Sequence, residues 1–245
     1  MLKAVFIDFN GVILNDEALH RELVDELLLT ENLRPMSDAE YQTYCLGRSD
    51  RAGLQDLFAH RERYLSPEAL QRLVYRKAQA YRQRILTLDP LPIYADLKPF
   101  LDRAALQRLP LGLVTGAVSS EVEYVLEQAN LRDYFQVIVT GEDTPVSKPQ
   151  PDGYLLALRR LNAYLGEVET NAQTLPILPH ECLAIEDSFA GIQAARSAGM
   201  SVVGIAHTYP YHFMQRLAHW AVDRFSELDL DRITVVLSRR PCAGA

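Results

Sequence analysis

The stretch Ala4-Val5-Phe6-Ile7-Asp8-Phe9-Asn10-Gly11-Val12-Ile13 decides the fold of this chain. Four apolar residues run directly into Asp8, and Gly11 marks the point where the chain turns away. A short apolar run that contains Val and Ile and is closed by Gly is typical of a strand buried on both faces of a sheet. Asp8 would then lie at the carboxyl end of that strand, where open parallel sheets bind their ligands. On these ten residues alone, an aspartate that merely begins a turn is an equally good interpretation.

The composition of the chain limits what this strand can belong to. The 245 residues are 48% hydrophobic and 23% charged, as in ordinary globular proteins. A net charge of -7 argues against a nucleic-acid or membrane-surface binder, since those partners require a basic face. The chain also has no apolar run of membrane-spanning length and no signal-peptide pattern near its first residue. Cys45, Cys182 and Cys242 form no C-x-x-C pair, so neither a disulfide framework nor a zinc site is indicated, and a reducing, cytoplasmic location is expected.

After the first strand the pattern becomes helical and then alternates. From Asn15 to Leu88 apolar residues recur at helical spacing, and Ser66-Pro67 is typical of a helix start. Beyond Pro92 the sequence predicts strands and helices in turn, namely strands at Leu111–Thr115, Gln136–Thr140, Cys182–Ile185 and Ser201–Ala206, and helices at Ser119–Gln128, Gly153–Leu161 and Ala190–Ser197. Such alternation favours a parallel sheet covered on both faces.

The fold class predicted from this pattern is α/β, a doubly wound parallel sheet with an inserted all-α segment. The sheet domain comprises residues 1–14 and 92–245, and the helical cap comprises residues 15–91. Asn162 to Pro179 is predicted to be a surface loop, and Arg239 to Ala245 a frayed tail.

Polar residues fall at the ends of the predicted strands. Asp8 ends the first, Thr115-Gly116 the second, Lys148 follows the third, and Glu186-Asp187 ends the fourth. Each has a simple structural explanation when it is taken alone, such as a turn, a solvated lysine or a helix N-cap. Four such groups at the carboxyl ends of one sheet are more than caps and turns require, so we expect them to form a site.

These residues resemble the motifs of the haloacid dehalogenase superfamily, in the subgroup with a helical cap after the first motif. The resemblance rests on four motifs that span most of the chain, Asp8-Phe-Asn10-Gly-Val, Val114-Thr115-Gly116, Ser147-Lys148-Pro149-Gln-Pro151-Asp152 and Ile185-Glu186-Asp187-Ser188. Within the superfamily, the cap is similar to that of β-phosphoglucomutase-like and phosphoglycolate phosphatase-like enzymes, because Arg76-Lys77-x-x-x-Tyr81 and His20 occur at corresponding places.

The resemblance implies a role for each residue. Asp8 is the nucleophile and a Mg²⁺ ligand, and the backbone carbonyl of Asn10 is a second ligand. Glu186 and Asp187 complete the set of metal ligands that the protein supplies. Lys148 neutralises the nucleophile and the transferring oxygens, and Thr115 and the amides near Gly116 hydrogen-bond the phosphoryl group. His20, Arg48, Arg51 and Lys77 are candidates to contact the rest of the substrate. The physical need is clear, since a carboxylate that attacks a phosphoryl group requires both negative charges to be offset.

Asn10 departs from the superfamily pattern. The corresponding residue in the phosphatases and mutases is an aspartate that transfers protons, whereas asparagine can only form hydrogen bonds. Such a loss costs about 10²–10⁴ in rate, so a slow enzyme is expected rather than an inert protein. Three explanations remain open: the substitution was introduced to trap a complex, another group such as His20 or Asp16 transfers the proton, or the protein has become a binder.

The sequence therefore predicts a Mg²⁺-dependent phosphohydrolase or phosphotransferase that acts on a small phosphorylated metabolite, similar to a sugar phosphate. The alternatives are a phosphosugar mutase similar to β-phosphoglucomutase and a silent regulatory protein that binds a phosphometabolite. Neither a nucleic acid nor a membrane is expected as a partner, and the chain is predicted to be a monomer or a homodimer.

Overall fold

The computed structural model describes residues 1–168 and 175–239. Within these residues the chain forms one six-stranded sheet in the order β3-β2-β1-β4-β5-β6, in which every neighbouring pair is parallel. The strands are β1 (Ala4–Ile7), β2 (Leu111–Val114), β3 (Phe135–Val139), β4 (Cys182–Glu186), β5 (Ser201–Ile205) and β6 (Trp220–Val222). The predicted doubly wound α/β fold is confirmed, with β1 in the middle and the strand order reversing beside it.

Helices precede and follow these strands. They are α1 (Glu17–Thr30), α2 (Asp38–Glu40), α3 (Asp50–His60), α4 (Pro67–Ile85), α5 (Leu97–Leu106), α6 (Ser119–Gln128), α7 (Asp152–Val168), α8 (Phe189–Ser197), α9 (Tyr211–Leu217) and α10 (Leu230–Arg239). A π-helical turn at Tyr41–Cys45 continues α2, and short 3₁₀ turns occupy Arg132–Tyr134, Pro179–Glu181 and Phe225–Glu227.

The alternation of side chains along β1 connects the sheet to both helical layers. Val5 and Ile7 lie in one apolar cluster with residues of α5, α6 and α10, whereas Ala4 and Phe6 lie in a second cluster with residues of α7 and α8. All four side chains are completely buried. Successive strand residues point to opposite faces, so a central strand covered on both faces must be apolar at every position.

The segment between β1 and α5 has an apolar cluster of its own. It is built mainly from α1, α3 and α4, with Leu27, Phe58 and Leu73 among its buried members. The helix start predicted at Ser66-Pro67 is confirmed, since the Ser66 hydroxyl accepts a hydrogen bond from the Ala69 amide at the N-terminus of α4. Two adjacent stretches of chain join this segment to the sheet domain.

One predicted loop is wrong over its first part. Asn162 to Val168 continue α7, and Leu165 packs against the same apolar cluster as Leu161. Helical apolar spacing was therefore present beyond the expected end of the helix. The remainder of that loop includes residues 169–174, and the predicted tail from Arg239 consists of the last residue of α10 followed by residues 240–245. Both sets, 169–174 and 240–245, lie outside the described residues.

Four elements had no counterpart in the sequence prediction, namely α5, α9, β6 and α10. β6 has only three residues, all half-buried at the edge of the sheet, so its apolar pattern is too short to be distinctive. No helix among the described residues has both the length and the apolar character needed to cross a bilayer.

Candidate active site

Asp8 follows β1 at the centre of the sheet. Its backbone N–H donates to the Ile185 carbonyl at 3.1 Å, which extends the pairing of β1 with β4 by one residue. The chain then turns through Gly11, which has φ of +71°. A Cβ at Gly11 would lie 2.0 Å from Asp187 Oδ2, so this turn requires glycine and brings the chain against a second acidic residue.

Three buried carboxylates meet at the ends of β1 and β4. Asp8, Glu186 and Asp187 each offer an oxygen, and these oxygens lie within 4.8 Å of one another. Burial, followed by the charge of Glu186, raises the pKa of Asp8 to about 7 against the lowering effect of Lys148. Burial and the charges of Glu17 and Asp8 also raise the pKa of Asp187 well above its usual value. Like charges this close favour a cation among them, and an all-oxygen donor set suits Mg²⁺, so these residues fit the predicted metal.

Lys148 connects the nucleophile candidate to the rest of the cluster. Its Nζ lies 2.7 Å from Asp8 Oδ1 and 2.7 Å from Glu186 Oε1, and it donates to the Val114 carbonyl at 3.0 Å. Although burial acts to lower the pKa of Lys148, the charges of Asp8 and Glu186 outweigh it and raise that pKa. The ammonium therefore stays protonated at every pH at which the enzyme would work.

Glu186 is held mainly by protein groups. The Tyr154 hydroxyl donates to its Oε1 at 2.6 Å, and Ser188 Oγ donates to its Oε2 at 3.3 Å. Its carboxylate lies against Gly191, where a Cβ would be 2.0 Å away. These contacts favour a second role for Glu186, as the residue that positions Lys148, besides its predicted role as a metal ligand. The sequence reasoning did not identify Tyr154, because a tyrosine in a helix carries no signal for such a contact.

Thr115 and Gly116 lie where β2 meets the helical segment. Thr115 is buried, and its hydroxyl accepts a hydrogen bond from the Ala117 N–H at 3.0 Å. A Cβ on Gly116 would be 2.8 Å from the Ser49 nitrogen, so glycine allows the helical segment to approach the sheet domain. The Ser49 N–H also donates to Ser147 Oγ at 2.8 Å. The segment therefore closes over the strand ends.

Asn10 belongs to a hydrogen-bonded group at the boundary between the two parts of the chain. Its Nδ2 donates to Asp16 Oδ2 at 2.8 Å, and His20 Nε2 lies 2.9 Å from the same nitrogen and 3.1 Å from Asp16 Oδ2. The Tyr81 hydroxyl donates to Asp16 Oδ2 at 2.7 Å. Lys77 Nζ lies 2.6 Å from His20 Nδ1. The two residues that the sequence offered as substitutes for an acid at position 10 are thus in direct contact with Asn10.

Most of the predicted site residues line one pocket between the helical segment and the strand ends. They are Asp8, Asn10, His20, Arg48, Lys77, Thr115 and Gly116. Lys148 and Glu186 lie beside them, and Arg51 instead lines a neighbouring cleft, where it donates to Gln71 at 3.0 Å. The pocket has a volume of about 40 Å³, whereas the neighbouring cleft, which shares Asp50 and Gly116 with it, has about 480 Å³. Ligand pockets usually measure about 300–1,000 Å³, so the pocket is much smaller than a usual ligand site and the neighbouring cleft is within that range.

Three acidic residues of this pocket escaped the sequence reasoning. Asp50 Oδ1 forms an ion pair with Lys77 Nζ at 2.6 Å, and Glu17 Oε2 accepts a hydrogen bond from the Tyr41 hydroxyl at 2.6 Å. The third, Glu121, lies in the first turn of α6. Acidic residues at helix starts are common on protein surfaces, so the sequence provides no signal that these three face a ligand.

An aspartate at the switch point of a doubly wound sheet, flanked by acidic residues and a lysine, defines a class of α/β hydrolases. The family model for haloacid dehalogenase-like hydrolases matches residues 2–199, and the chain belongs to this family. The resemblance noted in the sequence motifs is therefore confirmed.

Individual relatives act on phosphorylated carbohydrates. The chain is 30% identical to the fructose-1-phosphate phosphatase YqaB of Escherichia coli, over 82% of this chain and 95% of that protein. It is 27% identical to the β-phosphoglucomutase of Bacillus subtilis, over 85% of each chain. Among solved structures, a β-phosphoglucomutase from Clostridium difficile matches with a TM-score of 0.80 at 21% identity, covering 97% of this chain and 98% of that one. At that identity the structural match shows the fold alone.

Proposed function

We propose that this protein is a Mg²⁺-dependent phosphatase that releases phosphate from a small sugar monophosphate through a phosphoenzyme formed on Asp8. The observation that carries the proposal is Lys148 bridging Asp8 and Glu186 inside a cluster of three buried carboxylates. Relatives named as phosphatases of fructose 1-phosphate and of phosphorylated carbohydrates support the substrate class.

The reaction divides into two displacements at phosphorus. Lys148 holds Asp8 Oδ1, and the second oxygen of the Asp8 carboxylate attacks phosphorus. The bond between phosphorus and the sugar oxygen breaks as the new bond forms. Water then attacks the phosphoaspartate, its proton passes to the group that protonated the sugar oxygen in the first step, and release of phosphate restores the carboxylate. Lys148 offsets negative charge in both steps, and Thr115 and the backbone amides near Gly116 hydrogen-bond the equatorial oxygens.

Mg²⁺ bound by the carboxylates of Asp8, Glu186 and Asp187 would neutralise charge on the phosphoryl oxygens. The backbone carbonyl of Asn10 remains a proposed fourth ligand. A bound cation would also lower the pKa of Asp8 from about 7, so that the nucleophile is ionised under working conditions.

The proton for the departing sugar oxygen comes, in this proposal, from His20 rather than from Asn10. Because His20 Nδ1 and Lys77 Nζ are only 2.6 Å apart, one proton lies between them, and the other ring proton is on Nε2 beside Asp16 Oδ2. Burial and Lys77 act to lower the pKa of His20, but Asp16 and Asp50 outweigh them and the net pKa is raised. As Nε2 gives its proton to the sugar oxygen, Nδ1 takes up the proton that it shares with Lys77. This route needs two coupled transfers, so we expect it to be slower than one carboxylic acid at position 10.

The helical segment acts in this proposal as a cap that opens to admit substrate. Its boundaries are proposed at residues 14–15 and 91–92, where the two segments that connect it to the sheet domain lie side by side. The Asn15 N–H donates to the Pro92 carbonyl at 2.8 Å, and the Tyr94 N–H donates to the Ile13 carbonyl at 3.2 Å. Closure would exclude water while the phosphoenzyme forms.

A phosphomutase and a silent binding protein are the competing functions. A mutase must hold a sugar that carries phosphate at both ends, which requires cations that are free to bind the second phosphate. Lys77 is instead paired with Asp50 at 2.6 Å, and Arg48 with Asp56 at 2.6 Å, so Arg48 keeps only its Nε without a partner among the described residues. These pairs favour the phosphatase.

Phosphate release from a panel of sugar phosphates and one aryl phosphate tests the proposal, with Mg²⁺ and after chelation. We expect Mg²⁺-dependent release, faster for the aryl phosphate because its leaving group needs no proton. Return of an isomer in place of free phosphate would identify a mutase. Absence of release, together with a Tm raised by Mg²⁺ and a sugar phosphate, would identify a binding protein.

A further inference from the structure

Glu121 is a buried carboxylate that the proposed chemistry does not use. It lies in the first turn of α6, is 5% exposed, and lines the same pocket as Asp8 and His20. Its Oε1 is buried and has no hydrogen-bond partner among the described residues. Buried polar atoms are nearly always paired in native proteins, so an unpaired oxygen on a pocket wall indicates a place for a ligand's donor.

The charges around Glu121 restrict what that ligand can be. Lys77, whose charge acts on Glu121, already bonds Asp50 and His20 at 2.6 Å each. The carboxylates of Asp50 and Asp16 also act on Glu121. A second phosphate placed beside Glu121 would meet the carboxylates of Glu121 and Asp50, and like charges in a buried site repel strongly.

The protonation of Glu121 does not change its ability to accept a hydrogen bond. Burial raises the pKa of this carboxyl to about 7, against a lowering effect of Lys77. The ionised carboxylate accepts through both oxygens, and the neutral acid still accepts through its carbonyl oxygen. A hydroxyl group of a sugar therefore suits Glu121 in either state, and an ammonium group suits the ionised state.

We infer that Glu121 determines specificity for the leaving group, by accepting a hydrogen bond from a hydroxyl or an amine and by disfavouring a second phosphate. This inference rests on the proposed function and deepens it. It predicts that the preferred substrates are monophosphates of polyols, sugars or amino sugars.

The test compares kcat/KM for glucose 6-phosphate, glucosamine 6-phosphate, fructose 1-phosphate, fructose 1,6-bisphosphate and p-nitrophenyl phosphate. For Glu121→Ala we expect kcat/KM for the preferred sugar monophosphate, divided by kcat/KM for the aryl phosphate, to fall about 10-fold to 100-fold. The reason is that the variant loses a hydrogen bond to a charged group. For Glu121→Gln we expect a smaller fall with hydroxyl substrates, loss of any preference for the amino sugar, and a rise of the bisphosphate relative to the monophosphate.

Glu123→Gln is the matched control, since Glu123 is on the same helix, half exposed and paired with Arg132 at 3.0 Å. The Tm of each Glu121 variant shows whether it is folded. If both are folded and the ratio of kcat/KM values stays at the wild-type value in both, the inference is overturned. If wild type releases no phosphate, the same ratios are measured as affinities by calorimetry with Mg²⁺, so the inference is tested even where the phosphatase proposal fails. Failure of every phosphate ester to bind would overturn both.

Discussion

The two ends of the pocket differ in how completely their polar atoms are paired. At the strand ends, Lys148 bonds both Asp8 and Glu186, the Tyr154 hydroxyl donates to Glu186, and the Thr208 hydroxyl donates to Asp187. At the end formed with the helical segment, three buried side-chain atoms lack partners among the described residues, and these are Asp16 Oδ1, Arg48 Nε and Glu121 Oε1. Polar atoms that are all hydrogen-bonded are held in place before a substrate binds, whereas buried polar atoms without partners are available to bind a ligand. In the proposed reaction, the strand ends would bind the phosphoryl group of every substrate, and the end formed with the helical segment would distinguish leaving groups.

The largest expected effect comes from the fully paired end. Asp8→Asn should lower phosphate release by about 10⁴-fold or more, for every ester in the panel, because the nucleophile is lost. Phosphate-release assays with wild type and with Glu123→Gln as a surface control provide the comparison. Activity of Asp8→Asn within tenfold of wild type would show that another residue is the nucleophile, and that the strand ends are not the reactive end of the pocket.

Lys148→Ala should have the next largest effect. Loss of this charge should slow turnover by about 10²–10³-fold. It also leaves Asp8 and Glu186 buried without a counterion, which should destabilise the metal-free protein by about 3–5 kcal/mol in urea unfolding. Lys3→Ala is the control, since it removes only a partly exposed ion pair with Glu181 and should cost about 1 kcal/mol. Equal effects of the two substitutions would show that the strand-end cluster is not a coupled unit.

How far the sequence could predict the site follows the same division. Asp8, Thr115, Lys148 and Asp187 could be grouped into a candidate site from the sequence, because parallel strands place their carboxyl ends at one edge whatever the details of packing. Glu121 was not, since its role depends on how α4 and the loop near Ser49 sit on the sheet domain. Such contacts join residues far apart in the chain, and no local spacing encodes them. The edge strand β6 escaped prediction because its three residues are too few to form a distinctive pattern. The continuation of α7 to Val168, by contrast, does carry helical apolar spacing, which the prediction overlooked.

Asn10 and His20, to which the proposal assigns the proton transfer, lie between the two ends, and substitutions there should have smaller effects that depend on the leaving group. Asn10→Asp should raise turnover of a sugar phosphate about tenfold or more, since Asp16 at 2.8 Å would favour the protonated form of the introduced carboxyl. His20→Gln should lower that turnover about tenfold in the Asn10 protein, with little change for the aryl phosphate. Both effects are measured as kcat at saturating substrate.

The double variant makes this prediction sharper. If His20 transfers the proton only because Asn10 cannot, His20→Gln should cost much less in the Asn10→Asp background, and the two effects should not add. Additive effects would show that His20 acts by positioning the substrate. An unchanged rate for Asn10→Asp would show that the proton is already transferred efficiently by another group.

The smallest expected effect concerns stability and is specific to the unpaired end. The pKa of Glu121 is raised from 4.5 to about 7 in the folded protein, so between these values the unfolded chain loses its proton first. Folding is therefore penalised increasingly as pH rises from about 4.5 to about 7, and the penalty is constant above that range. Glu121→Gln removes it, so the variant should match wild type at pH 4.5 and be more stable by roughly 2–3 kcal/mol at pH 8. Urea unfolding at both pH values, with Glu123→Gln as control, measures the difference. If Glu121→Gln changes the free energy of unfolding by the same amount at both pH values, the Glu121 carboxyl is already paired or solvated in the folded protein. The two ends of the pocket would then not differ at this residue.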